Sequence, residues 1–175
     1  MSQKSIKLIL LGEAFSGKTS ICQFYKNGQS NNLETPTIGV CYSQFQVNIK
    51  NNYNITLDVW DTSGSEKYQS LVKIYYQYTN IVFLIFDVGN EQSYQKVSFW
   101  MNELEELVDK NKILLVLIGN KCDIQENQRQ ISQMQAKNFA QENDMLYFET
   151  SCITGQGIVE AFTSSVQQYV IRYKT

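Results

Sequence analysis

Histidine is absent from the 175 residues, and proline occurs once. Without imidazole, any site that needs this residue as a base or a metal ligand is excluded. Cysteine is scarce: Cys22, Cys41, Cys122 and Cys152 form no CxxC pair and show no regular spacing. That argues against a zinc site and a disulfide framework and favours a reducing compartment. An excess of one charge is missing too. The formal net charge is −2, so there is no basic footprint for nucleic acid and no polybasic arm for a membrane. Long hydrophobic runs are also lacking. The apolar stretch Ile6 to Leu11 is too short for a membrane span or a signal segment and reads as a buried first strand. The length fits one domain with a full core, here taken as residues 1–175.

What is present is an alternation of strand-like and helix-like stretches. Ile6–Leu11, Ile81–Phe86 and Ile113–Ile118 are nearly continuous apolar runs, as parallel strands covered on both faces require. Phe45, Val47 and Ile49 alternate with Gln44, Gln46 and Asn48, the pattern of an edge strand with one wet face. Asn51-Asn52 makes a turn into residues 55–60, so these two strands are expected to form a hairpin. Val97, Trp100, Met101, Leu104 and Val108 recur at helical spacing, as do Ile158, Ala161, Phe162, Val166, Tyr169 and Val170. Ser132 with Gln135 has the form of a capping box opening a helix through Phe139 and Ala140. The expectation is an α/β fold with ligands at the carboxyl ends of its strands.

The chemistry-bearing motifs fall at those ends. The first strand runs into Gly12-Glu13-Ala14-Phe15-Ser16-Gly17-Lys18-Thr19-Ser20, which matches the phosphate-binding pattern GxxxxGK[ST] in its strand–loop–helix context. Glycines let the backbone wrap closely, so that successive N–H groups and a helix N-terminus face the phosphates. Lys18 is expected on the terminal phosphates, and the Thr19 hydroxyl on Mg²⁺. This motif says nucleotide without saying which. Asp61-Thr62-Ser63-Gly64, at the end of the strand through Trp60, suits the organisation of magnesium waters by Asp61 and the approach of the Gly64 N–H to a γ-phosphate. Asn120-Lys121-Cys122-Asp123 follows the strand ending at Gly119. Its carboxylate can accept two hydrogen bonds from guanine N1–H and the exocyclic amine, a pattern adenine does not offer.

With GEAFSGKT (12–19), PTIGV (36–40), WDTSG (60–64), YQSL (68–71), IYYQ (74–77), NKCD (120–123) and ETSC (149–152), the chain resembles the small GTPases of the Ras superfamily, and the Rab branch most closely. The resemblance implies a P-loop domain with a mostly parallel six-stranded sheet, one antiparallel edge strand and about five helices. It implies GTP/GDP and Mg²⁺ as ligands, with Thr19 and Thr37 on the metal directly and Asp61 through water. Lys18, Thr37, Gly64 and the residue at Ser65 would serve hydrolysis. Glu13, Ala14, Phe15, Ser16, Gly17, Lys18, Thr19 and Ser20 would cradle the phosphates. Asn120, Lys121 and Asp123 would hold the base, with Ser151, Cys152 and Ile153 in the loop facing the guanine oxygen.

Residues near 30–40 and 62–77 would be two switches read by an exchange factor, a GTPase-activating protein and effectors, in the service of vesicle traffic. Phe45, Trp60 and Tyr75 would form an aromatic effector surface, or else pack in the core. The resemblance further implies a monomer in the cytoplasm, with membrane attachment only through a prenylated tail. The sequence closes at Arg172-Tyr-Lys-Thr175 without that cysteine-bearing tail. Either it stops short of the tail or this member is not lipidated.

Three positions depart from the family pattern. Ser65 stands where a glutamine normally orients the attacking water, so slow hydrolysis is expected unless a partner supplies the missing group. No arginine of the chain is an obvious finger in cis; Arg129 follows the NKCD loop and Arg172 lies in the last helix. Ser30 aligns with the aromatic ring usually stacked on guanine, and Ile153 with a lysine. Three readings follow: a cycling GTPase, a GTP-holding scaffold with little hydrolysis, and a different P-loop enzyme such as a small-molecule kinase. NKCD and the switch pattern count against the last.

Overall fold

A computed structural model describes residues 5–30, 37–49, 53–65 and 69–173. The turn at Asn51-Asn52, residues 31–36 of the expected first switch, including Pro36, and residues 66–68 of the expected second lie outside these. The strands are β1 (Ile6–Leu11), β2 (Val40–Ile49), β3 (Tyr53–Thr62), β4 (Ile81–Asp87), β5 (Leu114–Asn120) and β6 (Leu146–Thr150). They form one sheet in the order β2-β3-β1-β4-β5-β6. β2 runs antiparallel to β3, with Ile49 opposite Tyr53, which is the expected hairpin. Every other pairing is parallel.

The α-helices among the described residues are α1 (Lys18–Asn27), α2 (Gln69–Ile74), α3 (Glu91–Glu105), α4 (Gln133–Glu142) and α5 (Ile158–Tyr173). Their starts follow from short polar side chains that satisfy otherwise open amides. Asn90 accepts from the Ser93 N–H at 3.2 Å, and Ser132 accepts from the Gln135 N–H at 3.2 Å.

The central strands alternate their side chains between two apolar layers. Leu8, Leu10, Val59, Phe83, Ile85 and Val116 pack with Ile21 of α1 and Phe162 and Val166 of α5. Ile9, Leu11, Val82, Leu84 and Leu117 pack on the other face with Val97, Trp100 and Leu104 of α3 and Ala136 and Ala140 of α4. Both faces of β1, β4 and β5 are therefore dry, which is why these strands read as unbroken hydrophobic runs. Because β1, β3, β4, β5 and β6 are parallel, their carboxyl ends share one edge of the sheet. The phosphate, Asp61, Asn120 and Ser151 motifs are assembled along that edge.

Candidate functional site

The strand ladders reach into the motifs. Leu10 of β1 lies opposite Asp61 of β3, and Asn120 of β5 lies opposite Thr150 of β6. The loop after β1 turns at Gly17 (φ 96°), which caps α1 without a side-chain hydrogen bond, so the first amides of the helix stay open toward the loop. Within that loop Phe15 holds a left-handed backbone (φ 63°) and stands 66% exposed. For a bulky side chain this conformation stores roughly 1–3 kcal/mol of strain, the kind that concentrates at functional sites.

Lys18 is buried at 5% exposure, and its Nζ donates to the Gly12 carbonyl at 2.9 Å and the Glu13 carbonyl at 2.8 Å. An ammonium has three donors, so the loop itself aims the group and leaves one hydrogen over. Burial lowers its pKa to about 8, while the charges of Asp61 and Glu13 pull it back upward.

Beside it, three oxygens from separate elements converge. Thr19 Oγ1 lies 2.7 Å from Thr37 Oγ1 and donates to Asp61 Oδ2 at 2.6 Å. Asp61 is 5% exposed, and its second oxygen, Oδ1, is buried without a hydrogen-bond partner among the described residues. Burial raises its carboxyl pKa, countered by the Thr19 hydrogen bond and by Lys18. A buried carboxylate with one open oxygen next to two hydroxyls is a donor set for a hard divalent cation, so these residues fit Mg²⁺. No group of three or more His, Cys, Asp or Glu side chains offers an alternative among the described residues.

The segment entering β2 is tied to the segment leaving β3, and β3 is tied to β1. The Ser63 N–H donates to the Gly39 carbonyl at 2.8 Å, and Thr62 Oγ1 donates to the Leu10 carbonyl at 2.6 Å. Gly64 presses against the phosphate loop: a Cβ there would lie 2.3 Å from the Ala14 nitrogen and 2.4 Å from the Glu13 carbonyl carbon. Only a residue without a side chain permits that approach. Ser65 is half-buried, and its N–H donates to Ser63 Oγ at 3.2 Å.

On the other side of the loop, Asn120 is 1% exposed and joins three segments. Its Nδ2 donates to the Ser16 carbonyl at 2.9 Å, while Oδ1 accepts from Thr150 Oγ1 at 2.9 Å and from Cys152 Sγ at 3.8 Å. One Nδ2 hydrogen remains for a ligand. Lys121 (φ 64°) pairs with Asp87 at 2.7 Å, and Asp123 is exposed. Ser151 is fully buried, and its Oγ accepts from the Ile153 and Thr154 amides at 3.2 and 3.1 Å, folding the loop after β6 on itself. Ile153 is 78% exposed, and Ser20 lies half-buried on the first turn of α1. Ser16 is buried, with its hydroxyl unpartnered among the described residues.

Two features correct or extend the sequence reading. Phe45 does not join the aromatic surface; it is 5% exposed and packs against Tyr25 and Phe162, with ring centroids 5.1 and 5.9 Å away. Tyr42, 50% exposed, stands against Trp60 at 5.1 Å, and Trp60 against Tyr75 at 4.9 Å. The signal was available, since alternation along β2 already put Phe45 on the apolar face and Tyr42 on the opposite one. Arg129 is occupied rather than free: it is ion-paired with Glu149, and its Nε donates to the Ile131 carbonyl at 2.7 Å. Tyr147 donates to the same carboxylate at 2.7 Å.

The fold and its loops define the class first: a P-loop α/β protein of Ras-like architecture. The sequence model of the Ras family matches residues 7–171. The chain is 35% identical to "Ras-related protein Rab-4" of Dictyostelium discoideum over 157 residues, which is 90% of this chain and 75% of that protein. It is 31% identical to "GTP-binding protein ypt5" of Schizosaccharomyces pombe over 168 residues, covering 96% and 79%. With "Ras-related protein Rab-17" of Mus musculus the identity is 31% over 166 residues, covering 95% and 76%. The chain belongs to the Ras family and is a Rab-type small GTPase.

Proposed function

We propose that this GTP-binding switch is a single G domain that binds GTP and GDP with Mg²⁺ and hydrolyses GTP slowly. The observation that carries the reading is the convergence of buried Lys18 with the Thr19–Thr37–Asp61 cluster and its open carboxylate oxygen. Thr19 and Thr37 would hold the metal directly and Asp61 through water; when bound, the ion neutralises charge on the phosphate oxygens. Lys18 and the amides of residues 13–20 bind the transferring phosphoryl group, and Gly64 brings its N–H to the γ-phosphate. Asn120 and Lys121 brace the base site, Asp123 selects guanine, and the loop of Ser151, Cys152 and Ile153 faces the guanine oxygen. Water attacks the γ-phosphorus in line. Ser65 is too short to orient that water and hold the phosphate together, which keeps the intrinsic rate low.

In this reading the switches at 30–40 and 62–77 meet an exchange factor, an activating protein and effectors on the cytosolic face of membranes. The exposed ring of Tyr42, with the half-buried rings of Trp60 and Tyr75 beside it, supplies the effector contact, and the domain works as a monomer. No helix among the described residues is long and apolar enough to cross a membrane; in keeping with the family resemblance, attachment is assigned to a lipidated tail. A second reading, a GTP-holding scaffold with no useful hydrolysis, is favoured by Ser65 alone. Calorimetric titration with GDP and ADP tests the base assignment. Tight GDP binding that Asp123→Asn weakens about 100-fold or more supports it, by the loss of two charge-assisted hydrogen bonds. Equal affinity in parent and variant removes Asp123 from the base site.

A further inference from the structure

Ser30 stands where the family resemblance expects a ring over guanine, and an aromatic side chain, Phe24, lies against the loop that follows β6. We propose that Phe24 of α1 is a positioning residue for the base-contacting loop 151–157, holding that loop from beneath. The proposal rests on the guanine-nucleotide reading above.

Three observations point there. The tip of the Phe24 ring lies against Gly155: a Cβ on that glycine would sit 2.5 Å from Cζ and 2.9 Å from Cε1. Gly155 also holds φ +81°, so the loop comes down onto the ring only because its lowest residue has no side chain. The loop is closed by its own bonds, with the Gly155 N–H on the Ser151 carbonyl at 2.9 Å and the Ser151 N–H on the Gln156 carbonyl at 3.1 Å. It therefore moves as one piece, and what fixes it to the rest of the molecule fixes its amides.

The turn that follows α1 supplies a second fastening, because Ser30 Oγ donates to the Cys152 carbonyl at 3.1 Å. Phe24 and Cys152 are both half-buried and pack against the same apolar layer, under α1 and α5. The helix thus carries Lys18 and Thr19 at its first turn and the loop's support six residues later, about 9 Å along its axis. One rigid rod sets the spacing between the phosphate site and the loop that reads the guanine oxygen. A serine at position 30 then serves as a latch on the loop rather than a lid on the base.

The test compares retention of GDP with retention of the diphosphate of 2-aminopurine riboside, which lacks the oxygen the loop faces. Dissociation constants are measured by displacement from parent, Phe24→Ala and Phe24→Leu. The leucine variant keeps the apolar contact with the core but not the reach to Gly155, so it reports even where alanine unfolds the domain. The proposal expects GDP affinity to fall about tenfold in the alanine variant and less in the leucine variant. Affinity for the 2-aminopurine nucleotide should change by no more than about twofold. Equal losses for both nucleotides make Phe24 a core residue only, and no loss for either removes it from the site; both results overturn the proposal. If the parent itself retains no GDP, the guanine-nucleotide reading falls and this proposal with it. If the parent retains GDP and the variants show no selective loss, only the assignment of Phe24 falls.

Discussion

Removing the Asn120 side chain is expected to unfold the site before it changes specificity. The amide is 1% exposed and bridges the phosphate loop to the end of β6, through the Ser16 carbonyl and the Thr150 hydroxyl, each at 2.9 Å. Thr150 is fully buried, so Asn120→Ala strands a hydroxyl and a carbonyl away from water. Each of the two stranded groups costs about 1–3 kcal/mol, giving a loss of about 2–6 kcal/mol before any cavity is counted. For a chain of this size 1 kcal/mol shifts Tm by about 2–4 °C, so a drop of about 4–24 °C is expected in thermal unfolding of the nucleotide-free protein followed by circular dichroism. Asn120→Asp keeps the acceptor for Thr150 but turns the donor that met Ser16 into a second acceptor, so it should be destabilised as well. Exposed Asp123 provides the contrast: Asp123→Asn should unfold with the parent. If Asn120→Ala stays within about 0.5 kcal/mol of the parent, the bridge carries no load and the reasoning is wrong.

The same logic separates two aromatic residues on β2. Phe45→Ala should cost about 3–5 kcal/mol in urea unfolding, whereas Tyr42→Ala, half exposed beside Trp60, should cost under about 1 kcal/mol; equal losses would put Tyr42 in the core. Cysteine chemistry should follow burial and pH. Burial pushes the Cys152 thiol up to about 11 and the Cys22 thiol well above its usual value, while Cys41 is exposed. A raised thiol pKa keeps the reactive thiolate rare below that pH, so iodoacetamide at pH 8 should label Cys41 first. The rate at Cys152 should climb about tenfold per pH unit toward 11. Mass spectrometry showing Cys152 labelled as fast as Cys41 at pH 8 would contradict this.

Much of this was legible in the chain because the signals are local. The apolar runs Ile81–Phe86 and Ile113–Ile118 read as strands covered on both faces, and Ser132 with Gln135 marked the start of α4. GEAFSGKT carries its own loop geometry. Phe45 reads from the sequence as surface or core, and alternation along β2 already favours the core. What the sequence could not convey were partnerships across long separations. That Asn120 grips Ser16 and Thr150, that Arg129 is held by Glu149, and that Gly155 rests on Phe24 depend on which strands become neighbours in the sheet. No spacing along the chain encodes those contacts.

The central claim is a guanine-nucleotide switch whose hydrolysis is slowed by a single short side chain beside the phosphate loop. Single-turnover hydrolysis of Mg·GTP by the parent and by Ser65→Gln tests it most directly. The account predicts a slow parent and a variant faster by about tenfold or more, a difference of about 1.4 kcal/mol in the barrier. Matching, appreciable rates would show that another group positions the water and that Ser65 is not what sets the rate.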